Sequence, residues 1–201
     1  MSGRRRQRRM LAPDVPGRRR VEGVKAAQEV AVGRAHACAR TASGAVLCWD
    51  LAGAPGRAVE ETGAARAVHA LDDRTCVLHR SGAVSCWNRK ASQAMAATPT
   101  TLPWLTDAVE LSLGELQDCA RRRTGEVLCW NAPLHPWRVD GLAAVRGLAG
   151  SCAVQEDGAV ACWCDAPWRL PDPLVAVEGL AGPVRALASS RYLVCGMPAA
   201  R

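Results

Sequence analysis

The sequence predicts an all-β fold of β-propeller repeats, and three observations support this. The stretch Cys38 to Trp49 (CARTASGAVLCW) returns at Cys76 to Trp87, Cys119 to Trp130 and Cys152 to Trp163, each time as C-x5-G-x-V-x-C-W. First cysteines at 38, 76, 119, 152 and 195 set intervals of 38, 43, 33 and 43 residues. Such a period holds several short strands per unit and suits a radial array. The apolar material is Val, Leu, Ala and seven Trp, with 18 Gly and 12 Pro spread along the chain, a composition of strands and turns. Four complete units and a partial fifth span 21–50, 55–88, 99–131, 136–164 and 173–201, an incomplete or open propeller over 21–201.

Ahead of the repeats, residues 1–20 are rich in Arg, Gly and Pro and have no apolar period. They read as a disordered tail; an arm for nucleic acid or an anionic surface is the sharper alternative. Eight Arg against Asp14 give this tail the entire formal charge of +7. The body, 21–201, is neutral, so the basic pI belongs to the tail. A basic start with no apolar segment behind it is no signal peptide, and no apolar run is long enough for a transmembrane helix. The absence of Phe and Ile reads as codon bias.

Each unit opens on a strand-like V-[E/D]-G-[L/V] element, seen as Val21-Glu22-Gly23-Val24, Val139-Asp140-Gly141-Leu142 and Val177-Glu178-Gly179-Leu180. A second apolar run follows: Val30-Ala31-Val32, Val68-His69-Ala70-Leu71, Val109-Glu110-Leu111, Val145-Arg146-Gly147-Leu148 and Val184-Arg185-Ala186-Leu187. Several of these alternate with period two, as a half-buried strand does.

Next comes the cysteine hairpin. Folding Cys38 against Cys48 also opposes Arg40 with Val46 and Ala37 with Trp49, and centres the loop on Ala42-Ser43-Gly44. A short loop with a left-handed Gly near its end closes such a hairpin, which places Gly44, Gly82, Gly125 and Gly158 there. Directly opposed residues lie about 4.5–5.5 Å apart, within disulfide reach. The expected bonds are Cys38–Cys48, Cys76–Cys86, Cys119–Cys129 and Cys152–Cys162. Trp49, Trp87, Trp130 and Trp163 then point to the opposite sheet face, beside Ala37, Thr75, Asp118 and Ser151. Their repetition at one place favours wedges between neighbouring units over a ligand platform.

A spacing of ten suits neither the C-x2-4-C knuckles of structural zinc nor a single activated thiol. Reduced, packed cysteines remain the alternative to disulfides. Cys164 and Cys195 stand outside the pairs; a free thiol, a Cys164–Cys195 bond and a bond to another chain all stay open. His36, His69, His79 and His135 are unrepeated and read as surface or packing residues, and Glu60-Glu61 and Asp72-Asp73 as solvated loops. No phosphate loop, nucleophile elbow or metal triad occurs, so no catalytic residue, metal or cofactor is assigned and the protein is not expected to be an enzyme.

The unit resembles the bacterial, cysteine-bearing form of the regulator of chromosome condensation repeat over about residues 21–195. Val30-Ala31-Val32-Gly33-Arg34-Ala35-His36-Ala37-Cys38-Ala39 carries the likeness best. The resemblance implies a seven-bladed propeller of four-stranded blades. It also implies protein binding broadly, with nucleotide exchange on a small GTPase and chromatin binding in the eukaryotic founder. The family continues C-W-G-x-N-x-x-G-Q-L-G; here that first Gly is Asp50, Asn88, Asn131 or Cys164.

A non-enzymatic, disulfide-stapled protein-binding module is the function expected. The alternatives are an exchange or chromatin-type regulator with the Arg tail on nucleic acid, and a truncated or degenerate paralogue. Open edges predict self-association. Paired cysteines predict an extracytoplasmic or secreted location, although the sequence as given has no signal peptide.

Overall fold

The computed structural model describes residues 20–53, 55–88, 98–115, 117–131, 136–163, 174–178, 183–189 and 194–198. The expected tail and Cys164 lie outside them, apart from Arg20. Within them the secondary structure is all strand and turn.

The first sheet is β1 (Ala27–Val32), β2 (His36–Thr41), β3 (Val46–Asp50) and β4 (Arg57–Ala58). The second is β5 (Ala65–Leu71), β6 (Arg74–His79), β7 (Val84–Asn88) and β8 (Thr100–Thr101). The third is β9 (Ala108–Leu113), β10 (Asp118–Arg122), β11 (Val127–Trp130) and β12 (Pro136–Arg138). The fourth is β13 (Val145–Ala149), β14 (Cys152–Gln155), β15 (Val160–Cys162) and β16 (Val175–Ala176). The fifth has β17 (Val184–Ser189) and β18 (Val194–Pro198). Every sheet is an antiparallel meander in chain order. The first strands β1, β5, β9, β13 and β17 adjoin one another in succession, which makes them the hub of the array.

The V-[E/D]-G-[L/V] elements that begin at Val21 and Val139 are turns, a correction to the sequence reading; the third, from Val177, lies partly outside the described residues. Glu22-Gly23 and Asp140-Gly141 occupy turn positions, with Gly23 and Gly141 at φ 83° and 81°. Their apolar flanks come from packing: Val139 is buried in the core between the third and fourth sheets. The strand that completes each sheet lies just ahead of this turn, so a sheet draws its outermost strand from beyond its own cysteine hairpin.

The period-two reading of the second apolar run holds in the first two units and is interrupted in the other three. Each first strand carries a register shift that leaves one residue unpaired: Gln28, Arg66, Val109, Arg146 or Arg185. A bulge at this point adds local twist and re-aims the extra side chain.

Successive sheets pack face to face, and one joint repeats. The disulfide face of each sheet meets the tryptophan face of the next. Cys38 and Cys48 share a core with Val68, Val77 and Trp87; Cys76 and Cys86 with Leu111 and Trp130; Cys119 and Cys129 with Ala153 and Trp163. Against Cys152 and Cys162 the fifth sheet offers Val184 and Leu187. On the first sheet's tryptophan face, Trp49 is covered by Val21 and Val24, and Val30 and Val32 are exposed. Met197 is exposed at the other end.

Candidate functional site

The stapled hairpin is built by its turn. Gly44 N–H donates to Thr41 O and Thr41 N–H to Ala45 O, and the same pair of bonds recurs at residues 79–83, 122–126 and 155–159. Gly44, Gly82, Gly125 and Gly158 sit at φ 89°, 95°, 88° and 85°. Alternation outward from Thr41–Ala45 leaves Cys38 and Cys48 opposed in a non-hydrogen-bonded pair, where strands approach most closely. All four disulfides lie in this register, with Cα atoms 4.0 or 4.1 Å apart, tighter than the general spacing suggests. Among the described residues Cys195 is the free cysteine and is exposed. Trp49, Trp87 and Trp130 oppose Ala37, Thr75 and Asp118. Trp163 N–H donates to Ser151 O.

The hairpin glycines also touch the next sheet. Gly44, Gly82 and Gly158 accept hydrogen bonds at their carbonyls from Ala65, Ala108 and Val184 N–H, at 3.0, 2.9 and 3.0 Å. A methyl on Gly82 would lie 2.7 Å from Thr106 O and 2.9 Å from Asp107 Cα, whereas one on Gly125 would meet nothing within 4 Å. Gly125→Ala should therefore cost about 1–2 kcal/mol, the left-handed strain alone. Gly82→Ala should cost about 1–3 kcal/mol more through overpacking. Denaturation midpoints of the two variants check this order; equal losses contradict it.

A second device, unread in the sequence, joins the sheets through polar side chains. The residue two before the first cysteine of one sheet meets the residue one before the first cysteine of the next. His36 Nε2 and Thr75 Oγ1 are hydrogen-bonded at 2.6 Å. Arg74 Nη2 lies 3.2 Å from Asp118 Oδ1, near enough for an ion pair though off the hydrogen-bonding direction, and donates to Gly114 O. Gln117 Nε2 donates to Ser151 Oγ at 3.3 Å. In the fourth sheet Gly150 has no side chain, and its N–H turns back to Ser112 Oγ at 2.7 Å. His36 is thus a buried joint residue and not a surface one. The signal was present as a co-variation between copies, offset by one residue and one unit; a single copy does not show it.

Alternate sheets carry a third contact. Glu29 accepts Arg40 Nε at 3.0 Å and Val68 N–H of the second sheet at 3.2 Å. Glu110 accepts Arg121 Nε at 2.9 Å and Leu148 N–H of the fourth sheet at 3.0 Å. The equivalent opposed pairs in the second and fourth sheets are Ala67/Leu78 and Gly147/Val154. His69, on the hub strand of the second sheet, has its pKa lowered by burial, which outweighs the pull of Glu29 and Glu110 from the sheets on either side.

Burial raises the Asp118 carboxyl from 3.8 to about 6, against the opposing effects of Arg74 and the Gly114 backbone. A carboxyl raised on folding contributes most stability below its unfolded pKa, and this contribution is lost as pH rises through about 6. The stability of the native chain relative to Asp118→Asn should therefore increase as pH falls from about 7.5 to about 5. His69 titrates in both chains and cancels. Urea unfolding at several pH values measures the difference; a flat difference contradicts the assignment.

No group of three or more His, Cys, Asp and Glu able to hold a metal occurs among the described residues. Glu60-Glu61 and Asp72-Asp73 stand in exposed turns. His79 Nε2 bonds Ser85 Oγ at 2.8 Å inside its own sheet, and His135 lies outside the described residues. A shallow pocket of about 250 Å³ includes Glu126, Arg138 and Asp140. There Arg138 pairs with Asp140 at 2.7 Å and with Glu126 at 3.5 Å. No helix among the described residues is long and apolar enough to cross a membrane. The residues that recur from unit to unit therefore build joints. What differs from unit to unit lies in the polar joint pairs, in the turns and on the hub.

No protein-family model and no curated protein sequence matches the chain. Solved structures do. Prp20p from Saccharomyces cerevisiae, studied for its binding to Gsp1p and histones, is 11% identical with a TM-score of 0.62; the match covers 80% of this chain and 53% of that one. Yeast RCC1 (Prp20) bound to Kap60 is 16% identical with a TM-score of 0.58, covering 80% and 51%. Human WBSCR16 is 15% identical with a TM-score of 0.63, covering 81% and 55%. The chain thus spans about half the length of these proteins. At such identities the likeness shows the fold: RCC1-like β-propeller blades, with four four-stranded sheets and a fifth partial one.

Proposed function

We propose that the chain is a non-enzymatic protein-binding module, a rigid arc of stapled blades that presents its turns to a protein partner. One observation carries this reading. The residues common to all units are consumed in joints between sheets, whereas the exposed turn tips differ from copy to copy: Ala42-Ser43, Arg80-Ser81, Arg123-Thr124 and Glu156-Asp157. A rigid scaffold with varied loops is how repeat folds display a binding surface. The solved neighbours include proteins that bind Gsp1p, histones and Kap60, which supports binding or regulation as the general role. The four staples favour an oxidising, extracytoplasmic location.

An exchange or chromatin-type regulator is the narrower alternative, with nucleic acid engaged through the Arg tail. Self-association through the end faces is favoured by the exposure of Val30, Val32 and Met197. The test is affinity capture from the source organism with the oxidised chain, followed by reconstitution of any retained protein as a purified complex. A defined complex that is lost when the disulfides are reduced supports the binding role. Turnover of a small molecule by the purified chain would overturn it.

A further inference from the structure

The hub strands hold a feature that the joints use only at Arg146. The unpaired bulge residue is Arg66 in the second sheet, Arg146 in the fourth and Arg185 in the fifth, and all three are exposed. The bulge lies near the start of each first strand, at the end of the sheet where the cysteine hairpin turns. Hydrogen bonds fix that proximity: Arg80 N–H donates to Ala64 O and Arg123 N–H to Asp107 O, each at 3.0 Å. Exposed Arg80 and Arg123, at the turn tips of the second and third sheets, therefore stand beside the bulges.

Charge pairing leaves this group unneutralised. The half-buried carboxylates nearby are already taken: Glu29 by Arg40, Glu110 by Arg121, and Asp107 by Arg122 at 2.8 Å. No carboxylate among the described residues pairs with Arg66, Arg80, Arg123, Arg146 or Arg185; Arg146 donates to Val184 O, which leaves most of its guanidinium donors available. At the same end of the sheets, the loops that follow the outermost strands carry exposed Glu60, Asp140 and Glu178, of which Asp140 is paired with Arg138. The equivalent turn tip of the fourth sheet carries exposed Glu156 and Asp157, with Glu156 N–H on Ala144 O beside the Arg146 bulge. This face thus has a hub of five arginines against these two carboxylates, inside an acidic periphery.

We infer that the arginine hub docks an acidic polypeptide segment of the partner, a conclusion that rests on the protein-binding reading above. Guanidinium forks match carboxylates in bidentate geometry. A short run of Asp and Glu reaches the hub without crossing the periphery. A nucleic-acid duplex laid across the face would run its phosphates over the outer carboxylates, and the body carries no net positive charge to offset that.

The test is fluorescence anisotropy with a labelled oligo-glutamate peptide and the full chain at low and moderate salt. The first variant is Arg66→Gln/Arg146→Gln/Arg185→Gln. The second, Arg66→Gln/Arg80→Gln/Arg123→Gln, leaves the inter-sheet bond of Arg146 in place. Arg4→Gln/Arg5→Gln/Arg6→Gln controls for the tail. Each hub variant should weaken peptide binding about tenfold, with the tail variant within about twofold of the native chain. Duplex DNA of matched charge should compete poorly. Hub variants that bind like the native chain, loss confined to the tail variant, or DNA that displaces the peptide from the hub would each overturn the inference. If a captured partner binds the native and hub-variant chains alike, the hub assignment fails while the binding-module reading stands. If no protein is captured although the peptide binds, it is the reading that fails.

Discussion

Trp130→Ala should remove about 3–5 kcal/mol of stability, the usual effect of emptying a buried indole site. Trp130 is 3% exposed and belongs to a core that includes Cys76, Leu78, Leu102, Leu105 and Leu111. Its ring also meets Trp104 edge-on, with centroids 5.4 Å apart and planes at 68°, a contact worth about 0.5–1.5 kcal/mol beyond area. Against a typical net stability of ~5–15 kcal/mol, such a loss comes close to unfolding the array. Trp49→Ala should cost less, about 1–3 kcal/mol, because the face of Trp49 is covered by Val21 and Val24 instead of a neighbouring sheet. Chemical denaturation without reductant, followed by circular dichroism, gives both values. A Trp49 loss equal to or larger than that of Trp130 contradicts the repeated joint.

The second large effect is removal of one staple. Cys119→Ala/Cys129→Ala should cost about 2.5–3 kcal/mol for a loop of this length. The two sulfurs also pack in the core that holds Trp163, so the staple and the wedge are coupled. Trp163→Ala should therefore cost less in the unstapled background than in the native one, with an interaction of about 0.5–3 kcal/mol. Strict additivity would show that the disulfide acts on its own hairpin alone and not on the joint.

The hairpin is the part of the structure most legible in the sequence. Its loop length and glycine admit one register, so the opposition of Cys38 with Cys48 and of Ala37 with Trp49 follows by counting. The fold class follows from the repeat period for the same reason. The turns around Gly23 and Gly141 misled because apolar residues that anchor a turn in a core look like residues of a strand. The bulges at Arg66, Arg146 and Arg185 are a property of how the first strands pack at the hub, which no single strand encodes. The His36–Thr75, Arg74–Asp118 and Gln117–Ser151 contacts are divided between two units each. They become readable when copies are compared with an offset. Trp104 has no counterpart in the other units, so its contact with Trp130 left no repeated signal.

Peptide mapping of the unreduced protein tests the stapled-blade account most directly. Proteolysis without reductant should yield Cys38–Cys48, Cys76–Cys86, Cys119–Cys129 and Cys152–Cys162, with Cys195 labelled by a thiol reagent in the native state. Bonds that join different units, or eight or more free thiols in the denatured chain, would contradict it.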